Sequence, residues 1–259
     1  GLAVTGLLFF VLKRTRSGLI FGLCAVACWT WWLQGSSAAS LKETPPATVR
    51  VVFWNTARLK AGWSPVAEQI QAMSSPIMGF VEAGPDEPTD RIRWQHAFPK
   101  YQRVFFGNGM VLLVQGEVIR TEWGELGTSS YFGRADLVVA GREVTVFLVD
   151  INSNPFFCRE EALKTLHART KQASSGTVLV MGDFNTPSDS VHLQGLRNDF
   201  SNALEVAGQG TGETWPTPFP VLAIDQIWVN RKRVLSRAGQ ECSMYSDHRA
   251  VIAELALSE

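Results

Sequence analysis

The chain has 259 residues, of which 46% are hydrophobic and 19% are charged, and its formal net charge is zero. This length accommodates one large α/β domain or two small domains, and the apolar content excludes an intrinsically disordered chain. The balanced charge argues against non-specific capture of duplex DNA, because proteins that do this usually present a strongly basic face.

Two apolar runs without charged residues open the chain, at residues 1–12 and 18–33, and only the basic segment KRTRS separates them. The second run ends in a cluster of tryptophans, which favour the membrane–water interface. We therefore predict a transmembrane hairpin over residues 1–34. Because the first run starts at residue 1 with Gly rather than Met, we expect it to be the end of a longer helix. The alternatives are a cleavable signal peptide and a buried hairpin of a soluble domain.

Lys13, Arg14 and Arg16 are the only charged residues among the first 40. The positive-inside rule places this loop in the cytoplasm and everything after residue 34 on the far side. This predicts a protein of the bacterial inner membrane whose main domain is periplasmic or extracellular. In such a compartment Cys158 and Cys242 could form a disulfide, and the sequence leaves open whether they pair.

A polar stretch of small residues with a Pro-Pro pair, residues 35–47, predicts a linker, and one domain is expected over residues 48–259. Short runs rich in Val and Ile and bounded by Gly, Asn or Asp predict eight strands. In chain order these runs are TVRVVFW, IMGFVEA, GMVLLVQ, ADLVVA, EVTVFLVD, TVLVMGD, AIDQIWV and RAVIAELAL.

Amphipathic stretches between these runs predict helices over residues 64–75, 89–98, 159–173 and 190–198. The third helix carries Glu160 and Lys164 at the spacing of an i,i+4 ion pair. Strands outnumber helices about two to one, and several strands follow one another directly. This favours an α/β fold in which two mixed β-sheets pack face to face with helices outside, a four-layer α/β/β/α sandwich.

Polar residues recur where the predicted strands end or begin, and strand ends that share one edge of a sheet are where α/β proteins build sites. The residues concerned are Asn55, Glu82, Asp150, Asp183, Asn185, Asp225, Asp247 and His248. Taken one at a time, several of them could equally be turn formers. Clustered carboxylates repel one another unless a cation lies among them, and oxygen ligands without clustered Cys or His favour Mg²⁺, with Mn²⁺ or Ca²⁺ next.

Six of these short motifs occur in an order that resembles the endonuclease/exonuclease/phosphatase superfamily, which includes DNase I, exonuclease III and sphingomyelinases. They are WN at 54–55, FVEAG at 80–84, GDFN at 182–185, TWP at 214–216, IDQIWV at 224–229 and SDH at 246–248. The resemblance runs from about residue 48 to 256. It implies a four-layer sandwich that hydrolyses phosphodiester or phosphomonoester bonds with a bound divalent metal ion.

The resemblance also implies roles for individual residues. Asn55 and Glu82 would hold Mg²⁺, with Asp247 near the same ion or a second one. Asp183 and Asn185 would orient the attacking water and the phosphate. His248, polarised by Asp225, would act as a general base or as a hydrogen-bond donor to the developing negative charge, and which of Asp183 and His248 takes the proton of the water stays open. Together these residues form a candidate site for a phosphate-ester substrate.

One residue departs from the pattern. Asp150 stands where many members of this superfamily have a His, or in some branches a Tyr, that donates a hydrogen bond to the phosphate. An ionised Asp can only accept hydrogen bonds and would repel a phosphate. Either Asp150 is protonated, or Asn152 replaces the donor, or activity is reduced, and the last case makes a non-catalytic binding or scaffold module the alternative function.

The sequence does not specify the substrate, and nucleic acid, a lipid headgroup and a small phosphodiester all remain candidates. Apart from the three basic residues of the first loop, the chain has 21 basic and 24 acidic residues, a formal charge of −3. This acidic balance and the predicted membrane anchor favour a lipid headgroup or a small phosphodiester over duplex DNA.

Overall fold

The computed structural model describes residues 15–35, 48–84, 87–173, 176–208, 210–231 and 233–257. The first predicted membrane segment, residues 1–12, lies outside the described residues, as does nearly all of the predicted linker. Helix α1 (Thr15–Gly35) and the two sheets below belong to separate compact units, and each is described by itself.

Helix α1 contains the second apolar run. No helix in the described part of the chain combines the length and the apolar character that a membrane crossing requires. The structure therefore does not support the prediction of a membrane-spanning helix over 18–33. The physical reason is that α1 includes Arg16, three glycines and several hydroxyl-bearing or indole side chains, and its uncharged run of 16 residues is shorter than the ~20 that cross a bilayer.

The described residues of the second unit form twelve strands and five α-helices. Its elements are β1 (Thr48–Asn55), α2 (Trp63–Met73), β2 (Ile77–Val81), α3 (Pro88–Ala97), β3 (Gln102–Phe105), β4 (Val111–Val114), β5 (Glu117–Gly127), β6 (Ser130–Val139), β7 (Arg142–Asp150), α4 (Glu160–Thr170), β8 (Thr177–Asp183), α5 (Gln194–Asp199), β9 (Phe200–Asn202), α6 (Ala203–Ala207), β10 (Asp225–Asn230), β11 (Leu235–Glu241) and β12 (Ala250–Ala256). Short 3₁₀ turns cover Ala57–Leu59 and Val191–Leu193.

These strands form two six-stranded mixed sheets. The first has the order β11-β12-β1-β2-β4-β3 and the second the order β5-β6-β7-β8-β10-β9. Each sheet contains one parallel pair, β1 with β2 and β7 with β8, and its other neighbours are antiparallel. The carboxyl ends of each parallel pair therefore lie side by side.

The two sheets pack face to face around a shared apolar core, to which Phe53, Leu148 and Ile227 contribute from both sides. Gly79 of β2 lies in this contact. A Cβ atom there would come within 2.9 Å of both Leu148 Cδ1 and Met181 Cε. The absence of a side chain thus allows the sheets to approach closely at this point.

Helices cover the two outer faces. On the first sheet, Phe80 packs with Ile70 of α2 and Trp94 of α3. On the second sheet, Phe147 packs with Leu163 of α4 in a cluster that α5 also joins. The predicted α/β fold with two mixed sheets and helices outside is thus confirmed for the second unit.

All eight predicted strands and all four predicted helices are present in the structure. The predicted Glu160–Lys164 pair forms, with 2.6 Å between Lys164 Nζ and Glu160 Oε1. Sequence reading missed β3, β5, β9 and β11, and these four strands occupy the four sheet edges. Edge strands are half exposed and carry polar residues, so they lack the continuous Val- and Ile-rich pattern of the central strands. Cys158 and Cys242 are both exposed and free.

Candidate active site

The predicted site residues lie at one edge of the sandwich because of the strand topology. Asn55 ends β1 and Glu82 follows β2, while Asp150 and Asp183 are register partners at the ends of the parallel strands β7 and β8. Asp225, the first residue of the antiparallel strand β10, pairs with Asp183 across the sheet. The ends of both parallel pairs therefore contribute carboxylate and amide side chains to the same edge.

A buried histidine–aspartate pair forms the most enclosed part of the site. His248 Nδ1 lies 2.8 Å from Asp225 Oδ2, and His248 is only 7% exposed. Asp225 Oδ1 is buried and accepts no hydrogen bond from a described residue. Burial by itself lowers the pKa of His248, but the charge and hydrogen bond of Asp225, together with the charges of Asp183 and Asp247, outweigh it and raise that pKa to about 9.

Asp183 connects the two sheets. Its Oδ2 atom accepts a hydrogen bond of 3.0 Å from Asn55 Nδ2, which belongs to the other sheet, and lies 3.9 Å from His248 Nδ1. Its Oδ1 atom accepts the backbone N–H of Asn185 at 2.9 Å. Burial and the negative charge of Asp225 raise the pKa of Asp183 well above its ordinary range.

Glu82 lies on the other side of Asn55. Asn55 Nδ2 is 3.4 Å from Glu82 Oε1, and Arg58 Nε donates to Glu82 Oε2 at 3.1 Å. The Glu82 side chain is 28% exposed, so part of its carboxylate faces solvent. Asn55 also fixes the following turn, because its Oδ1 atom accepts the backbone N–H of Ala57 at 2.9 Å. Glu82, Asn55 and Asp183 thus form a continuous row of oxygen-bearing side chains.

A cleft of about 460 Å³ opens beside this row, and Glu82, Asp150, Asn152 and Asn185 are among the residues that line it. Burial, followed by the negative charge of Glu82, raises the pKa of Asp150 to about 7. One N–H of the Asn152 amide is engaged, because Nδ2 donates to Thr128 O at 3.2 Å, and the second N–H stays available. A protonated Asp150 and a donor at Asn152 therefore both agree with the structure.

The remaining predicted residues, Asn185 and Asp247, differ in how close they lie to the other site residues. Asn185 lies within the site, where its Nδ2 atom donates to Ile151 O at 2.8 Å. Asp247 is exposed, and its Oδ2 atom accepts a hydrogen bond of 3.2 Å from Trp215 Nε1. No contact in the described structure joins Asp247 to Asn55 or Glu82, so its assignment to the metal stays a prediction.

Several cleft residues have left-handed backbone conformations, which are costly for residues other than glycine. Non-glycine examples are Arg58 (φ 58°), Glu82 (φ 51°), Asn108 (φ 62°), Ser129 (φ 49°) and Asn185 (φ 46°). Such strain persists only where surrounding contacts impose it, and it concentrates at functional sites. The backbone around the cleft is thus held in place rather than free to relax.

Two sets of side chains could be considered for a metal ion. One ligand atom each from Asp183, Asp225 and His248 lie within 4.8 Å of one another. A metal-bound imidazole must offer an unprotonated nitrogen, yet His248 Nδ1 is engaged with Asp225 and its pKa lies near 9. Glu82 and Asn55 are the better candidates, because their oxygens suit a hard ion and part of the Glu82 carboxylate faces solvent.

Sequence reading missed several residues that support the site. Arg58 has no motif signal, although it pairs with Glu82 and lines the cleft. Ser246, within the SDH motif, has an Oγ atom that donates to Asn55 O at 2.7 Å and accepts the His248 backbone N–H at 3.0 Å. Thr214 Oγ1 accepts the backbone N–H of Asp225 at 3.1 Å. The TWP and SDH motifs therefore act partly by fixing the Asp225–His248 pair.

The sequence matches the family described as "Endonuclease/Exonuclease/phosphatase family" over residues 52–248. Among curated proteins, none matches it. A Bacteroides thetaiotaomicron protein of the same family description has 17% identity and a TM-score of 0.69, covering 83% of this chain and 100% of that one.

Two further solved structures carry more specific descriptions. A Bacteroides thetaiotaomicron mannosyl-6-phosphatase has 17% identity and a TM-score of 0.67, covering 81% of this chain and 100% of its own. D. rerio TDP2, complexed with single strand DNA product, has 12% identity and a TM-score of 0.66, covering 80% of this chain and 98% of its own. At these identities the similarity shows a shared fold.

Proposed function

This chain belongs to the endonuclease/exonuclease/phosphatase family, and from that premise we propose that it is a metal-dependent hydrolase of phosphodiester or phosphomonoester bonds. One observation carries the proposal: Asn55 Nδ2 and Asp183 Oδ2 are 3.0 Å apart although 128 positions separate them in the chain. This contact brings the metal-type residues of one sheet to the histidine–carboxylate group of the other. Glu82 and Asn185, which contact Asn55 and Asp183, also line the adjoining cleft, where the phosphate would bind.

Glu82 and Asn55 would hold the metal ion, with Mg²⁺ favoured and Mn²⁺ next because the donor set consists of oxygens. When bound, such an ion supplies positive charge to the phosphoryl oxygens and lowers the pKa of a coordinated water. Asn55 Oδ1 accepts one hydrogen bond and keeps a second lone pair, and Glu82 is partly open to solvent. These oxygens therefore fit a hard divalent ion in their chemistry.

His248 and Asp183 have different roles, hydrogen-bond donation and proton acceptance. A pKa of about 9 keeps the imidazolium charged at neutral pH, so His248 acts as a hydrogen-bond donor to a phosphoryl oxygen rather than as the general base. Asp225 holds the ring through Nδ1 and leaves Nε2–H for the substrate. Asp183, whose raised pKa makes it a stronger base than an ordinary carboxylate, takes the proton of the attacking water, and Asn185 beside it orients the phosphate.

Asp150 contributes to phosphate binding in its neutral form. With a pKa of about 7, its carboxyl is substantially protonated at neutral pH, and the O–H can donate to a phosphate oxygen. The scaffold alternative assumed that no donor is present at position 150. A neutral Asp150 supplies one, which supports catalysis.

The candidate substrates are esters of phosphate. One structural neighbour is described as a mannosyl-6-phosphatase and another as a complex with single strand DNA product, so both phosphomonoesters and nucleic acid are candidates. The formal charge of −3 outside the first basic segment favours a small phosphate ester or a lipid headgroup. Membrane anchoring and export stay predictions of the sequence, and the hydrolytic proposal does not depend on them.

A substrate panel tests the proposal. We expect the purified full chain with Mg²⁺ to hydrolyse at least one of p-nitrophenyl phosphate, bis-p-nitrophenyl phosphate, sphingomyelin vesicles and single-stranded DNA. EDTA should abolish this activity, and added Mg²⁺ should restore it. Absence of turnover on all four substrates would favour the scaffold alternative.

A further inference from the structure

Arg58 is a cleft residue that the motifs do not predict. Among the described residues that line the cleft, it is the one cationic side chain, whereas Glu82 and Asp150 are acidic. Its side chain is 77% exposed, and its recorded contact is the 3.1 Å hydrogen bond from Nε to Glu82 Oε2. The two terminal Nη groups make no hydrogen bond to a described residue, so the fork of the guanidinium is available to a ligand.

The backbone presents Arg58 in a fixed position. Ala57, Arg58 and Leu59 are three consecutive residues with left-handed φ angles of 51°, 58° and 54°. Backbone hydrogen bonds close this turn, from Leu59 N to Thr56 O at 3.0 Å and from Gly62 N to Leu59 O at 2.8 Å. Such a run is strained for L-residues. It places the Arg58 side chain beside Glu82.

Hydrogen-bond donors would hold a phosphate in the cleft. Asp150 loses its proton as the pH rises, and one N–H of the Asn152 amide is already bonded to Thr128 O. A guanidinium stays charged at all relevant pH values and binds two phosphate oxygens with parallel N–H bonds. Arg58 has this chemistry. Its positive charge lowers the pKa of Asp150, which also lines the cleft.

We propose that Arg58 is a phosphate-binding residue whose Nη groups donate to the nonbridging oxygens of the substrate phosphate, the contact that an aspartate at position 150 cannot supply when ionised. This inference rests on the proposed function and extends it to a named residue. In the absence of ligand, the same guanidinium neutralises Glu82. When a metal ion takes that carboxylate, the whole guanidinium becomes available to the phosphate.

Two substitutions and a matched control test this assignment. Arg58→Ala removes the fork, and Arg58→Lys keeps the charge without it. Arg93→Ala is the control, because Arg93 is likewise exposed (58%) and makes one 3.0 Å ion pair, with Asp90, but does not line the cleft. The measurements are KM and kcat for bis-p-nitrophenyl phosphate, the Mg²⁺ concentration at half-maximal rate, and binding of inorganic phosphate to the metal-free full-length protein by calorimetry.

Arg58→Ala should raise KM and the phosphate dissociation constant by about 10- to 100-fold, the usual loss for hydrogen bonds to a charged group. We expect Arg58→Lys to be intermediate, and Arg93→Ala to match wild type. Equal phosphate binding by wild type and Arg58→Ala would overturn the assignment. So would a change confined to the Mg²⁺ requirement, since Arg58 would then act only through Glu82.

The two readouts separate this inference from the proposed function. Phosphate binding that Arg58→Ala weakens, without turnover by wild type, would uphold Arg58 and contradict hydrolysis. If wild type turns over substrate and Arg58→Ala has an unchanged KM and unchanged phosphate binding, hydrolysis would be upheld and the role of Arg58 would be contradicted. Wild type that neither binds phosphate nor turns over substrate would contradict both.

Discussion

The charge of Asp225 should control the protonation of His248, and Asp225→Asn tests this with minimal change in shape. The amide oxygen can still accept the Nδ1–H bond, but the negative charge is gone. Burial then lowers the pKa of His248 with opposition only from Asp183 and Asp247, so the pKa should fall from about 9 toward or below its ordinary 6.5. That difference corresponds to about 3 kcal/mol in favour of the charged imidazole.

The effect on stability has a definite sign. Because folding raises the pKa of His248, the pair stabilises the folded state fully below pH 6.5, and this contribution disappears as the pH rises through about 9. The free energy of unfolding of wild type minus that of Asp225→Asn should therefore be larger below pH 6.5 than above pH 9, by up to about 3 kcal/mol.

The assay combines an NMR titration of the histidine rings with urea denaturation across this pH range. Asp199→Asn is the matched control, because Asp199 Oδ2 also lies 2.7 Å from a histidine nitrogen, His167 Nε2, but the Asp199 side chain is 43% exposed. Solvent screening should keep the control effect below about 1 kcal/mol. A wild-type His248 that titrates at 6.5, or one whose titration Asp225→Asn leaves unchanged, would refute the electrostatic reasoning.

Two further predictions concern the cleft and the strand beneath it. The dissociation constant of bis-p-nitrophenyl phosphate, whose charge is constant, for the metal-free wild-type protein should rise as the pH increases through about 7, because Asp150 changes from a donor to a repelling carboxylate. Asp150→Asn should show a flat dissociation constant over the same range, and a parallel rise in both proteins would contradict this role. Gly182→Ala should destabilise the fold by about 3 kcal/mol or more in urea denaturation, because its Cβ would lie 2.1 Å from Val149 O, a backbone atom of the neighbouring strand. Gly239→Ala, whose Cβ meets no atom within 4 Å, is the control, and equal losses in the two variants would show that the close approach does not matter.

The sequence was most informative where the structure is most constrained. Central strands such as β1 and β8 are buried on both faces, so their apolar runs are unambiguous, and each ends in a polar residue that marks the site. The four edge strands lacked this signal because one side of each faces solvent. The structure does not support the predicted membrane span for the described helix, whose uncharged run is shorter than a bilayer crossing requires.

The site was predictable in its residue types and not in its pairings. Strand ends identified Asn55 and Asp183, but only the packing of the two sheets shows that their side chains touch. Arg58 could not have been found, since a single arginine after a polar strand end is ordinary, and its position depends on a left-handed turn. The protonation of Asp150 and His248 likewise depends on burial and on charges from distant parts of the chain.

The hydrolysis rate of Asp183→Asn relative to wild type is the most direct measure of whether the clustered side chains form one phosphoester-cleaving centre. Asparagine has nearly the same shape and removes a buried carboxyl with a raised pKa, so the variant should remain folded. Because asparagine has one acceptor oxygen, the variant loses one of the two hydrogen bonds that Asp183 accepts from Asn55 and Asn185, and its melting temperature should fall modestly while circular dichroism shows a folded protein. With Mg²⁺ and the best substrate of the panel, we expect kcat to fall by at least about 100-fold, the contribution of one positioned acid–base group. A folded Asp183→Asn protein that hydrolyses the substrate at the wild-type rate would contradict the account.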